Sequence, residues 1–196
     1  WGGVSAQAIA SKSSPLQKLY GGDRTFSPLV SLDEKVSGSL SPAFSDEGYP
    51  RSDLGLIVNG KAGARLISSR SAAEYGLTAN GASGGESPSA LNMKAGALPD
   101  ADILKQLGTG LYISNLWYLD FSDHPAARLT GMTRFATFWV ENGEIQAPVS
   151  TMRFDDSAFS LLGSRLEALT AERELLLPPC TYSRRATASA LLPGAL

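Results

Sequence analysis

The sequence predicts an α+β fold rich in antiparallel β-sheet, built from hairpins with a few short helices between them. Two Asn-Gly turns lie between apolar, strand-like runs, and the helical patterns are short, with serine or proline starts and glycine stops. No tandem repeat of fixed period runs through the chain. With 196 residues, 43% of them hydrophobic and 18% charged, the chain can bury one good core and is no coiled coil or acidic tail.

The elements follow in order. Val4 to Ile9 and Pro15 to Tyr20 read as short helices, with Ser14 as an N-cap and Gly21-Gly22 as a stop. Residues 25 to 52 are rich in Ser, Pro and Gly, with one strand candidate at Leu29 to Leu32. Leu54 to Val58 and Lys61 to Ile67 flank Asn59-Gly60, a pair that tolerates the two positive φ angles of a type I′ turn. Ser69 caps a helix through Tyr75 that stops at Gly76, and residues 78 to 92 read as a mobile Gly/Ser loop. Pro99 to Leu107 is a helix ended by Gly108, and Leu111 to Trp117 is a strand. Residues 118 to 130 read as a loop. Met132 to Glu141 and Glu144 to Val149 form a second hairpin about Asn142-Gly143, setting Val140 beside Ile145 and Phe138 beside Ala147. A third helix starts at Ser157 and runs to about Ala168, and Thr187 to Leu192 is a last strand.

Composition narrows the function. A net charge of −2 supplies too little positive charge to bind a nucleic-acid backbone. No apolar run approaches the ~20 residues of a membrane helix, and the N-terminus lacks the order of a signal peptide. The single cysteine, Cys180, excludes an intrachain disulfide and suits a reducing compartment, so the cytoplasm is the expected location. The chain opens at Trp1 without an initiator methionine and ends at Leu196 in an apolar run, which suggests a fragment of a longer protein.

Several motifs compete. Gly55, Gly60 and Lys61 approach a P-loop, but Ala62 stands where Ser or Thr would hold Mg²⁺, and the hairpin accounts for the same residues. Gly81, Ser83 and Gly85 spell G-x-S-x-G, with Asp120 and His124 following in the order of a serine hydrolase. A nucleophile elbow needs a strand before it and a helix after it, and this segment has neither. His124, the only histidine, precedes Pro125 and has Asp120 and Asp123 as candidate partners, and no H-E-x-x-H or C-x-x-C spacing preorganises a metal site. Arg134 falls on the same strand face as Met132, Ala136, Phe138 and Val140. A cation there pairs with Asp120, Asp123 or Glu141, or holds a carboxylate or carbonyl of a bound peptide. Glu141 and Glu144 face each other at the hairpin end, a repulsion that solvent relieves.

At Gly108-Thr109-Gly110-Leu111-Tyr112-Ile113, and above all at Phe138-Trp139-Val140-Glu141-Asn142-Gly143-Glu144-Ile145 with Pro148-Val149, the sequence resembles the TldD/PmbA family. Members are called modulators of DNA gyrase and also TldD/TldE metallopeptidases. Phe44-Ser45-Asp46-Glu47-Gly48 is similar to the family's F-D-x-E-G segment, and the Asn59-Gly60 hairpin, Ser69 to Gly76, Gly131 and Ala190 to Gly194 extend the likeness in order. Essentially the whole chain, residues 1 to 196, resembles one C-terminal domain of such a protein.

The resemblance implies a cytoplasmic two-subunit peptidase that holds an extended peptide along β-structure. In the family the TldD subunit carries an H-E-x-x-x-H motif and a later cysteine, and the TldE (PmbA) subunit lacks them. This chain has no such motif, and Cys180 has the wrong glycine context for the metal cysteine. It therefore resembles the TldE side: no catalytic residue and no metal or other cofactor in this chain, with zinc on a TldD-like partner. The segment Trp117 to His124 departs from the glycine-rich family sequence. Polar residues in and beside it, Asn115, Tyr118, His124 and Arg134, are the candidate substrate contacts. The alternatives are a structural dimerisation module and a serine hydrolase using Ser83, Asp120 and His124.

Overall fold

A computed structural model describes residues 2–177 and 188–196. Cys180 and the expected strand start at Thr187 lie outside the described residues. The order opens with a 3-10 turn, Gly2–Val4, then α1 (Ala6–Ala10), α2 (Gln17–Tyr20), β1 (Leu32–Glu34), β2 (Leu54–Val58), β3 (Lys61–Ala62), α3 (Ser69–Tyr75) and β4 (Ala90–Met93). A 3-10 turn at Asp100–Asp102 leads into α4 (Ile103–Leu107). Then come β5 (Gly110–Ile113), β6 (Trp117–Asp123), β7 (Arg128–Met132), β8 (Thr137–Glu141), β9 (Glu144–Pro148) and β10 (Arg153–Ser157). A π-type turn at Ser160–Ser164 precedes β11 (Leu169–Leu176) and β12 (Ser189–Ala195).

The strands form a six-stranded sheet ordered β11-β12-β4-β1-β2-β3 and two three-stranded sheets, β10-β7-β6 and β5-β8-β9. Among the described residues every pairing between these strands is antiparallel except β12 with β4, so the α+β class holds. No helix among the described residues is long and apolar enough to cross a membrane.

Both Asn-Gly turns form as their chemistry dictates, with φ of 48° and 78° at Asn59-Gly60 and 52° and 79° at Asn142-Gly143. Gly60 is also a point of close approach: a Cβ there would lie 2.4 Å from the Phe26 carbonyl oxygen. The loop carrying Phe26 is thereby laid against the first hairpin, with the Phe26 amide donating to the Gly60 carbonyl at 2.9 Å. Phe26 enters a core with Leu19, Val30, Ile57, Met93 and Leu169, and stacks on Phe159 at 5.0 Å. Burying such a side chain contributes about 2–3 kcal/mol. Ala127 and Ala158 belong to the same cluster and Leu129 packs on it, so the β10-β7-β6 sheet is anchored at its β6–β7 turn end. A second cluster, Val4, Leu56, Leu66, Ala82 and Leu91, lies under α1 and the first hairpin.

The structure corrects several expectations. The strand expected at Leu29 to Leu32 forms at Leu32–Glu34, and the one after Asn59-Gly60 ends at Ala62, because Gly63 lies against the Gly55 carbonyl. Ser68 caps α3 in place of Ser69, its hydroxyl accepting from the Ser71 amide, and Gly76 ends the helix at φ 65°. Ser14 binds the Leu16 amide while α2 itself begins at Gln17.

Residues 118 to 130 are the hairpin of β6 and β7, not a loop. Alternation is masked there because the register of β6 shifts twice, between Trp117 and Asp120 and between Phe121 and Asp123. The long strand expected from Met132 to Glu141 is cut at 133–136, where buried Thr133 turns to bond Met152 in both directions. Val140 pairs with Ile145 as expected, but a bulge after Trp139 moves Phe138 opposite Pro148 and Trp139 opposite Ala147. Glu141 and Glu144 do face each other. The helix expected from Ser157 to Ala168 is a single turn, since Ser157 ends β10 and Gly163 leaves helical geometry.

Candidate functional site

The residue-level candidates fall on one region unevenly. Arg134 sits in the break between β7 and β8, exposed, and not on a buried strand face. The alternation that placed it there fails because Thr133 interrupts the strand. Its guanidinium carbon stands 5.6 Å from the centre of the Trp117 ring. Tyr118 meets the same ring edge-on at 5.8 Å, and Phe135 does so at 5.5 Å. Tyr118 and Arg134 are therefore brought together by Trp117, which opens the segment that departs from the family sequence and was not among the candidate contacts.

A β-bulge produces this cluster. Between the pairs Trp117↔Met132 and Asp120↔Thr130, β6 holds one residue more than β7, and Tyr118 takes φ 52°. A positive φ at an aromatic residue is strained by about 1–2 kcal/mol, and the surrounding ladder holds it. The bulge turns Tyr118 outward, leaving it 70% exposed.

Asn115 lies before β6, exposed, with its side-chain oxygen accepting from the Ser114 hydroxyl at 2.9 Å. His124 stands at the far end of β6, about 20 Å along the strand from Trp117. Its ring rests on Phe121 at 4.9 Å, while Asp120 accepts from the Phe121 amide and Asp123 from the Ala126 amide. The carboxylates named as partners for His124 are thus committed to the backbone. Ser83 lies elsewhere, in a cleft of about 270 Å³ beside Phe44, Asp46, Arg51 and Ser89. Neither Asp120 nor His124 lines that cleft, so Ser83, Asp120 and His124 do not form one cluster.

Two buried carboxylates escaped the sequence reading. Glu34, 1% exposed, pairs with Arg51 and accepts from the amides of Ser89 and Ala90 and the Ser89 hydroxyl. Arg51 is thereby neutralised, which leaves the Ser83 cleft with the exposed Asp46 carboxylate and no unpaired cation among its lining residues. Glu86, also 1% exposed, lies in the segment expected to be mobile and tethers it instead. One oxygen accepts from the Ser5 hydroxyl and Gln7 amide, and the other from Ser68, at the starts of α1 and α3. Burial pushes this carboxyl up, but the hydrogen bonds from Gln7, Ser5 and Ser68 outweigh it and hold the pKa at about 2. Burial is visible in sequence only through apolar neighbours, whereas Glu34 lies between Asp33 and Lys35 and Glu86 lies between Gly85 and Ser87.

Among the described residues no group of three or more His, Cys, Asp or Glu is placed to hold a metal ion. The only histidine is exposed against Phe121, so these residues do not fit a catalytic zinc site.

Residues 1–194 match the model of the PmbA/TldA metallopeptidase C-terminal domain. The chain belongs to this TldD/PmbA family. Metalloprotease PmbA of Escherichia coli O157:H7 is 34% identical over 115 residues, 59% of this chain and 24% of that protein. A PmbA homolog of Haemophilus influenzae is 33% identical over 114 residues, covering 56% and 24%. TldE from Thermococcus kodakarensis superposes with a TM-score of 0.78 at 17% identity, over 98% of this chain and 43% of that one. A candidate modulator of a DNA gyrase from Thermotoga maritima gives 0.79 at 21%, over 99% and 43%. These two likenesses concern the fold. The chain spans less than half the length of each of these relatives.

Proposed function

We propose that residues 1 to 196 act as one domain, the C-terminal part of a TldE/PmbA-like subunit in a cytoplasmic two-subunit peptidase. The domain forms chamber wall and touches the extended peptide, while zinc and the general base belong to a TldD-like partner. Family membership supports the peptidase setting. The observation that carries peptide contact is the exposed cluster of Tyr118 and Arg134 on Trp117, held on a rigid sheet by a strained bulge. Aromatic rings with one cation suit a peptide, whose side chains they cover and whose carbonyl or carboxylate a guanidinium holds. Edge strands β5, β6 and β9 leave backbone groups to which an extended chain can add.

The chain's own residues bind and orient; no bond-breaking step is assigned to them. A second reading, a dimerisation module without substrate contact, draws on the exposed Leu175, Leu176 and Leu177 at the end of edge strand β11.

Native mass spectrometry of the full-length protein from its own cells, with a peptidase assay on the same fraction, tests the proposal. A stoichiometric complex with a zinc-bearing partner and peptidase activity is the expected result. A metal-free homodimer without activity overturns it in favour of the dimerisation module.

A further inference from the structure

The outer face of the β10-β7-β6 sheet is polarised along its strands. Cross-strand pairing places Arg153, Met132 and Trp117 in one row, all exposed. Two residues along, the row is Asp155, Thr130 and Asp120, and beyond it Arg128 pairs with Asp155 and faces Asp123. The opposite face carries Phe154, Leu129 and Phe121, each partly buried, so the charged rows look outward. Carboxylates thus gather toward the His124 turn, and cations and aromatic rings gather at the Trp117 end.

The cations at that end are unspent. Arg128 and Arg165 each pair with an aspartate. Among the described residues Arg134 and Arg153 make no ion pair: Arg134 lies over Trp117, and the Nε of Arg153 donates to the Thr130 hydroxyl at 3.1 Å. Both guanidinium groups keep donors for an incoming anion, beside the exposed apolar surface of Trp117, Phe135 and Met132. An anion alone would not need the rings, and an apolar group alone would not need the cations.

We propose that the Trp117 end of this sheet is a subsite for acidic peptide segments in which a carboxylate neighbours an apolar side chain. The carboxylate is held by Arg134 and Arg153, and the apolar side chain covers Met132 and the rim of the Trp117 cluster. The proposal rests on the peptide-contact reading and names the class of peptide it selects. Basic segments are turned away from this end by like charge and find only the paired, solvated acids at the other.

The test is fluorescence anisotropy on the full-length protein, with a labelled peptide of alternating Glu and Phe and its Gln-Phe and Lys-Phe counterparts. The Glu-Phe peptide is expected to bind about tenfold more tightly than the Gln-Phe peptide at low salt, with the difference shrinking as salt rises. Arg153→Gln should remove most of that preference while leaving the Gln-Phe affinity and the melting temperature unchanged. Arg134→Gln should remove most of it while weakening the Gln-Phe peptide by a smaller factor, because Arg134 also serves general peptide contact. Equal binding of the Glu and Gln peptides, or a preference that survives both substitutions, overturns the proposal. So does dimer dissociation on Arg134→Gln with no change in peptide binding, which gives this face to a second copy. Binding needs neither the partner nor catalysis. A failed preference in a protein that still forms an active complex therefore counts against this subsite alone, and a missing complex counts against the peptidase reading.

Discussion

Glu86 accepts two hydrogen bonds from Ser68, one from its backbone amide at 2.8 Å and one from its hydroxyl at 2.9 Å. With Ser5 and Gln7 on the other oxygen, one carboxylate ties the starts of α1 and α3 to a loop that lacks regular structure. Its pKa of about 2 lies below the ordinary 4.5, so its contribution to stability is complete above about pH 4.5 and is lost as pH falls toward 2. Urea unfolding across that window should show stability falling in the parent protein and falling less steeply in Glu86→Gln. At neutral pH the substitution should cost about 2–3 kcal/mol, since it leaves buried donors poorly matched. Parallel pH profiles would contradict this role.

Arg51 and Glu34 form a pair whose side chains are 12% and 2% exposed. Removing one partner strands the other, so Arg51→Met should cost about 3–5 kcal/mol. Adding Glu34→Gln to Arg51→Met removes the stranded charge and should restore part of that loss. A double-mutant cycle on urea unfolding is the measurement, and simple additivity of the two losses would show that the pair is not coupled.

The parts of this fold that were legible from residues are those whose chemistry is local. Asn59-Gly60 and Asn142-Gly143 announce positive φ, and Gly76 and Gly108 announce helix ends, all of which formed. Where tertiary contacts decide, local patterns misled. Thr133 breaks an alternation that looks continuous from Met132 to Val140, because its partner is Met152, far along the chain. The same break moved Arg134 from a supposed buried face to an exposed one, yet beside Tyr118, with which it shared only a functional guess. Glu86 could not be recognised as a tether, since its partners on α1 and α3 come from distant segments. Family resemblance was legible because it rests on the order of short motifs, which survives where periodicity does not.

Gly60 and Gly143 occupy matching positions in the two Asn-Gly turns, at φ 78° and 79°, so alanine meets the same backbone strain of about 1–2 kcal/mol at each. Their surroundings differ. At Gly143 the nearest atom to a new Cβ is the Lys105 Cα at 3.1 Å, on a short helix that can give by a few tenths of an ångström. At Gly60 it meets the carbonyl oxygens of Phe26 and Ser27 at 2.4 and 2.6 Å, and these belong to the loop that delivers Phe26 to the core. The clash cannot relax without breaking the Phe26 amide bond to Gly60 or the Gly60 amide bond to Val30. Gly60→Ala should therefore cost about 2 kcal/mol more than Gly143→Ala, read as urea midpoints at constant slope. Similar losses at the two sites would mean that the approach of the Phe26 loop to the first hairpin is looser than these contacts require.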